Sequence, residues 1–78
     1  MREKKPYMVI SFHTTADAMA MEKLCAREGV PGRIIPVPRE ITAGCGLAWR
    51  IPQQDYPAWS GRLETLGLNY AAVTPLML

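Results

Sequence analysis

Arg33-Ile34-Ile35-Pro36-Val37-Pro38-Arg39-Glu40-Ile41-Thr42-Ala43-Gly44-Cys45-Gly46-Leu47-Ala48-Trp49-Arg50-Ile51 carries two strand-like runs joined by a long connection, with a helical pattern on either flank. Gly32 opens the first run, residues 33–37, and Pro36 within it has no N–H for a ladder, which makes it an edge strand. In the second run, residues 47–51, apolar positions alternate, so Leu47, Trp49 and Ile51 are expected to face a core. Trp49 then reads as a core anchor rather than a stacking surface for a ligand. The connection, residues 38–46, is longer than a hairpin needs, and long ordered loops in compact domains are disproportionately functional.

Upstream, Tyr7-Met8-Val9-Ile10-Ser11-Phe12 is rich in β-branched and aromatic residues and short enough for a strand ending at His13. Thr14 has the character of an N-cap, and Asp17 stands where a carboxylate meets the first-turn donors. The helix should run to about Glu28, because Gly29 supplies a stop and Pro31 follows. Ala16, Ala20 and Leu24, with Met21 and Cys25 one step round, form its expected buried stripe. Asp17, Glu22, Lys23 and Arg27 fall mostly toward water.

Downstream, Pro52-Gln53-Gln54 breaks the strand, Asp55 can cap, and Tyr56, Trp59, Leu63 and Leu66 recur at helical spacing before Gly67. A last strand is expected over Asn69-Tyr70-Ala71-Ala72-Val73-Thr74, stopped by Pro75. The apolar end Leu76-Met77-Leu78 should pack on its own body or on a partner.

The order β-α-β-β-α-β is solved most economically by a four-stranded antiparallel sheet with both helices on one face. This α+β architecture is the ferredoxin-like arrangement, with strand order 4-1-3-2 for right-handed crossovers. The other face would carry Val9, Ile35, Val37, Ala48 and Arg50. That mixture is too apolar for water alone, so a homodimer or another partner is expected there or at the C-terminus.

The 78 residues fit one domain, 1–78, with residues 1–6 a flexible basic tail built on Arg2-Glu3-Lys4-Lys5. A formal charge of +2 is too small to imply nucleic acid, and 49% hydrophobic residues fit a globular chain. No apolar run is long enough for a membrane span and no secretory signal is evident, so a cytoplasmic location is expected. In a reducing compartment the two cysteines should not form a permanent bridge.

Chemistry concentrates at Gly44-Cys45-Gly46. Flanking glycines uncover the sulfur and allow turn geometry in which successive N–H groups converge on an anion. The same three residues could equally be a tight turn, and alone they leave both readings open. The topology decides the neighbourhood: the loop between strands 2 and 3 lies at the same end of the sheet as the turn after strand 1. Cys45 and Gly46 should therefore sit near His13, Thr14 and the first helix's N-terminus, where a thiolate is favoured. His13 is the candidate thiolate partner, while Thr14, Gly44, Gly46, Arg39 and Arg50 are candidates for holding an anion or adduct. Cys25 lies roughly 16 Å down the helix at about 1.5 Å per residue. A disulfide needs alpha carbons within about 7 Å. Cys25 is therefore expected to be a small buried hydrophobe.

Phe12 followed by a polar turn and an alanine-rich helix, then Ile34-Ile35-Pro36-Val37-Pro38-Arg39-Glu40-Ile41 and Gly44-Cys45-Gly46-Leu47-Ala48-Trp49-Arg50, resembles the selenium/sulfur (Se/S) carrier protein-like family of small bacterial proteins. The resemblance covers nearly the whole chain and is most specific at P-R-E-I-x-x-x-C-G-L-A. It implies a cysteine, here Cys45, that takes up sulfur or selenium as a persulfide or selenyl sulfide and hands it on between a donor and an acceptor protein. A carrier or binding protein is expected rather than a stand-alone enzyme, and no cofactor is expected.

Three other classes compete. The first is a protein-interaction or regulatory module using the open sheet face, with Gly44-Cys45-Gly46 a structural turn. An RNA-recognition domain shares the element order but presents stacking aromatics, whereas this chain offers one, Trp49, facing the core. A metal chaperone of this fold would want paired cysteines after strand 1, where Ser11-Phe12-His13-Thr14-Thr15 has none.

Overall fold

The computed structural model describes residues 3–41 and 45–78. Its elements are β1 (Pro6–Ser11), α1 (Thr15–Glu28), β2 (Arg33–Pro36), β3 (Leu47–Pro52), α2 (Tyr56–Thr65) and β4 (Ala72–Met77). The strands form one antiparallel sheet in the order β2-β3-β1-β4, which is the expected order read from the other rim.

Period-two alternation decides the two faces of the sheet. Ile10 and Phe12 on the β1 side and Trp49 and Ile51 of β3 share one face, where they pack with Ala18, Met21 and Cys25 of α1 and Leu63 of α2. Both helices therefore cover the same face. Full burial of a side chain the size of Phe12, Met21 or Ile51 contributes about 1.5–3 kcal/mol apiece. Trp49 is the anchor expected of it, and its indole N–H donates to the Pro31 carbonyl at 3.2 Å.

The buried stripe of α1 is phased differently from the sequence expectation. Ala18, Met21 and Cys25 are buried, Leu24 is half-buried, and Ala16 and Ala20 face solvent. Alanine is small enough to sit on either side of a helix, so the bulkier Met21 sets the phase. The caps are as expected: Thr14 Oγ1 accepts the Asp17 N–H at 3.1 Å, and Gly29 takes φ 77°. Asp55 occupies the N-cap of α2 without a side-chain capping bond, and a proline in the first turn removes one of the donors a cap would satisfy. Arg62 of α2 forks onto Glu28 of α1, with Nε donating to Oε1 at 3.1 Å.

β4 lies three residues later than expected, over Ala72–Met77, and takes in Pro75 and most of the apolar end. The reason is the direction of the proline nitrogen. In an antiparallel ladder successive residues point their N–H groups alternately toward and away from the partner strand. Leu78 N–H bonds inward to the Lys5 carbonyl at 2.8 Å, which turns the Pro75 nitrogen outward, where no bond is lost. Pro36 on the opposite rim obeys the same rule, because Val37 N–H bonds inward to the Gly46 carbonyl at 2.9 Å. Beside the C-terminal end of β4, Pro6 pairs with Met77 and the Lys5 carbonyl takes the Leu78 N–H, so these two residues of the expected 1–6 tail join the start of the interior strand β1.

The face without helices is less open than its composition suggested. Val9 and Ala48 are completely buried and Ser11 nearly so. Val9 lies between Arg50 and Thr74 on the neighbouring strands, and Ala48 between Ser11 and Ile35. Ser11, Val9 and Ala48 thus form a covered centre to this face. The apolar surface expected to demand a partner there is therefore mostly covered within the chain itself.

Candidate functional site

Cys45 stands at the mouth of the β2–β3 connection, fixed on both sides. Gly46 adopts φ 91°, a backbone conformation that favours glycine, and its carbonyl accepts the Val37 N–H. Cys45 N–H donates to the Phe12 carbonyl at 3.1 Å, across to the end of β1. This bond joins the loop to the turn that carries His13 and Thr14, residues distant in sequence. It also means that the amide of Cys45 is committed to a carbonyl and is not a donor for a bound anion.

The Cys45 side chain is half-buried and packs against the apolar core beside Leu47. Its Sγ–H makes a long contact to the Leu47 carbonyl, 3.8 Å. One flank of the sulfur thus rests on the core while part of the side chain remains in reach of solvent. Cys25 is in the opposite condition. It is fully buried, and burial pushes its thiol up to about 11, so it stays protonated at neutral pH. Both thiols are free.

The other residues of the candidate set are distributed unevenly. His13 follows Phe12 directly and is exposed, and among the described residues its ring has no hydrogen-bond partner. Thr14 is exposed, with its hydroxyl oxygen capping α1. Arg39 is exposed in a turn closed by Ile41 N–H to the Pro38 carbonyl at 3.0 Å. Gly44 lies outside the described residues, as do Thr42 and Ala43.

Arg50 is not brought to the cysteine. It is five residues further on, up to about 16 Å at strand rise. Its guanidinium lies over the Tyr7 ring, 4.7 Å from the centroid, toward the far end of the sheet. Sequence reasoning gave Lys5, Tyr7 and Arg33 no role, yet the register places Arg33 directly opposite Arg50. The signal was available: strand alternation sets positions 7, 33 and 50 on one face once the pairing is known.

Among the described residues no group of three or more His, Cys, Asp or Glu is placed to hold a metal ion. No described helix is long and apolar enough to cross a membrane. Searches of curated proteins and of solved structures return no match to the chain. Residues 7–75 match the family described as "Putative Se/S carrier protein-like". That span runs from the second residue of β1 to Pro75 of β4 and includes Cys45 with its anchoring strands, so the chain belongs to the Se/S carrier protein-like family.

Proposed function

We propose that the protein carries sulfur or selenium on Cys45. In the sulfur case the Cys45 thiolate attacks the terminal sulfur of a donor persulfide. The donor S–S bond breaks, a new S–S bond forms on Cys45, and the donor cysteine leaves as a thiolate that takes up a proton, with no net oxidation or reduction. The reverse chemistry delivers the atom to an acceptor protein. His13 receives the thiol proton, and the Gly46 amide, together with Arg39 and Thr14, faces the adduct. The cytoplasm, where free thiols persist, suits such a cycle.

The observation that supports this reading most is the contrast in access between the two thiols, with Cys45 held by backbone bonds at a partly open loop mouth and Cys25 sealed in the core. Intact-mass analysis after incubation with a persulfide donor tests it. Wild type should gain one sulfur atom and Cys45→Ser none. A gain on Cys45→Ser would move the carrier role to Cys25 and overturn the assignment.

A second reading, a protein-interaction module in which Gly44-Cys45-Gly46 is only a turn, draws support from the structural duties of that loop. The Gly46 carbonyl and the Cys45 amide both serve ladder-like bonds. Under it, Cys45→Ser would leave partner binding and function unchanged.

A further inference from the structure

We propose that the far end of the helix-free face is a binding site for a small oxyanion of the phosphate class, formed by Lys5, Arg33 and Arg50 around Tyr7. These residues, with Glu3 and Leu78, line a hollow of about 270 Å³. That is close to the lower bound of ordinary small-molecule pockets, about 300 Å³. It has room for a phosphate or diphosphate group but is a poor match to an extended acidic segment of a protein.

The charge arrangement favours an anionic occupant. Arg33 and Arg50 are direct cross-strand partners on one face of the β2–β3 ladder, about 5.5 Å apart at their alpha carbons in a hydrogen-bonded pair. Like charges in that relation destabilise a sheet. Among the described residues the ion pairs are those of Glu28 with Arg27 and Arg62, and neither Arg33, Arg50 nor Lys5 is within 4.0 Å of a carboxylate. Three cationic side chains thus face a hollow lined by one acidic side chain, Glu3, and by Leu78, whose terminal carboxylate brings a second negative charge. A tetrahedral oxyanion bridging the two guanidinium forks would turn the repulsion into charge-assisted hydrogen bonds.

The scaffold under these cations is rigid. Gly32 has φ 118°, and a Cβ there would come within 2.2 Å of the Arg50 carbonyl oxygen and 2.5 Å of Trp49 Nε1. The start of β2 is therefore pressed against the backbone of Arg50 in a way only glycine permits, and the Trp49 indole bond to Pro31 pins it from the core side. Stacking on Tyr7 restrains Arg50 itself. On the β1 side, Leu78 N–H to the Lys5 carbonyl and Gln53 N–H to the Pro6 carbonyl, at 2.8 and 3.1 Å, hold the strand carrying Lys5 and Tyr7. The site is independent of Cys45, which lies at the opposite end of β3.

Amide NMR titration of the whole chain with inorganic phosphate and with pyrophosphate, at constant ionic strength, tests the proposal against a sodium chloride control. The expected result is saturable shifts at Lys5, Tyr7, Arg33 and Arg50, retained in Cys45→Ser. Arg33→Gln, an exposed rim substitution that spares the Tyr7 stack, should bind about tenfold more weakly, as loss of a charge-assisted hydrogen bond implies. Shifts that chloride reproduces, or affinity unchanged in Arg33→Gln, would overturn it. So would binding of an oligoglutamate peptide with none of phosphate or pyrophosphate, which would mark the face as a docking surface for acidic protein segments.

Discussion

Cys25 and Cys45 carry the same thiol in one small fold, yet the fold gives them different surroundings. Cys25 projects from the last turn of α1 into the layer between helix and sheet, where no solvent reaches it and burial suppresses its ionisation. Cys45 sits where two strands and a loop converge, with its backbone fixed and its side chain only half covered. The difference teaches that the presence of cysteine says little about reactivity. What matters is whether the element bearing it ends at the sulfur, as a loop does, or continues past it, as a helix does.

The sharpest way to break this contrast is alkylation of the native protein at pH 7 with a neutral reagent, read by peptide mapping. A thiol with a pKa of about 11 is ionised in only about one molecule in ten thousand at that pH. Modification should therefore stop at one adduct, on Cys45, with Cys25 on the order of a hundredfold slower or more. Comparable rates at the two positions would erase the distinction.

Alkaline stability sharpens the buried half of it. The folded pKa of Cys25 is raised from about 9 to about 11, so between those values the native state keeps a proton that the unfolded chain has lost. Its contribution to stability is complete below about pH 9 and is lost as pH rises toward 11, a fall on the order of 2–3 kcal/mol. Denaturant unfolding of wild type against Cys25→Ala isolates it, since the alanine variant should lack this part of the alkaline decline. Parallel curves would mean that the thiol is not desolvated.

Serine substitution gives a smaller separation. Cys25→Ser places a hydroxyl in apolar surroundings and should cost roughly 1–2 kcal/mol more in urea unfolding than Cys45→Ser, whose site is half open. Equal costs would contradict the burial difference. The least effect is expected of His13→Ala, a fall of about two- to fivefold in the rate of Cys45 modification with unchanged unfolding, as removal of a nearby exposed imidazole implies. An unchanged rate would turn His13 out of the site.

Most of the architecture was legible because strong local signals agreed with one another. Thr14 and Gly29 bracket α1, Trp49 alternates into the core, and Pro36 marks a rim. Ala16 and Ala20 misled because a methyl group carries almost no preference for either side of a helix, and only tertiary packing fixed the phase on Met21. Pro75 misled because a proline stops a strand only when its nitrogen must face a partner, and that orientation depends on a register set by β1. At the candidate site, chain topology brought Cys45 to the end of β1. Arg50 was assigned there by nearness in sequence, but side-chain direction in a strand follows parity and cross-strand neighbours, and those send it over Tyr7.

The outward-facing nitrogens of Pro36 and Pro75 bear on how the molecule behaves in crowded solution. A strand arriving at either rim would meet a gap in the row of donors it needs, so growth of the sheet by strand addition is discouraged on both sides. Encounters with other chains are channelled to the loops and the flat of the sheet, and the route toward fibrillar stacking is blunted at both margins.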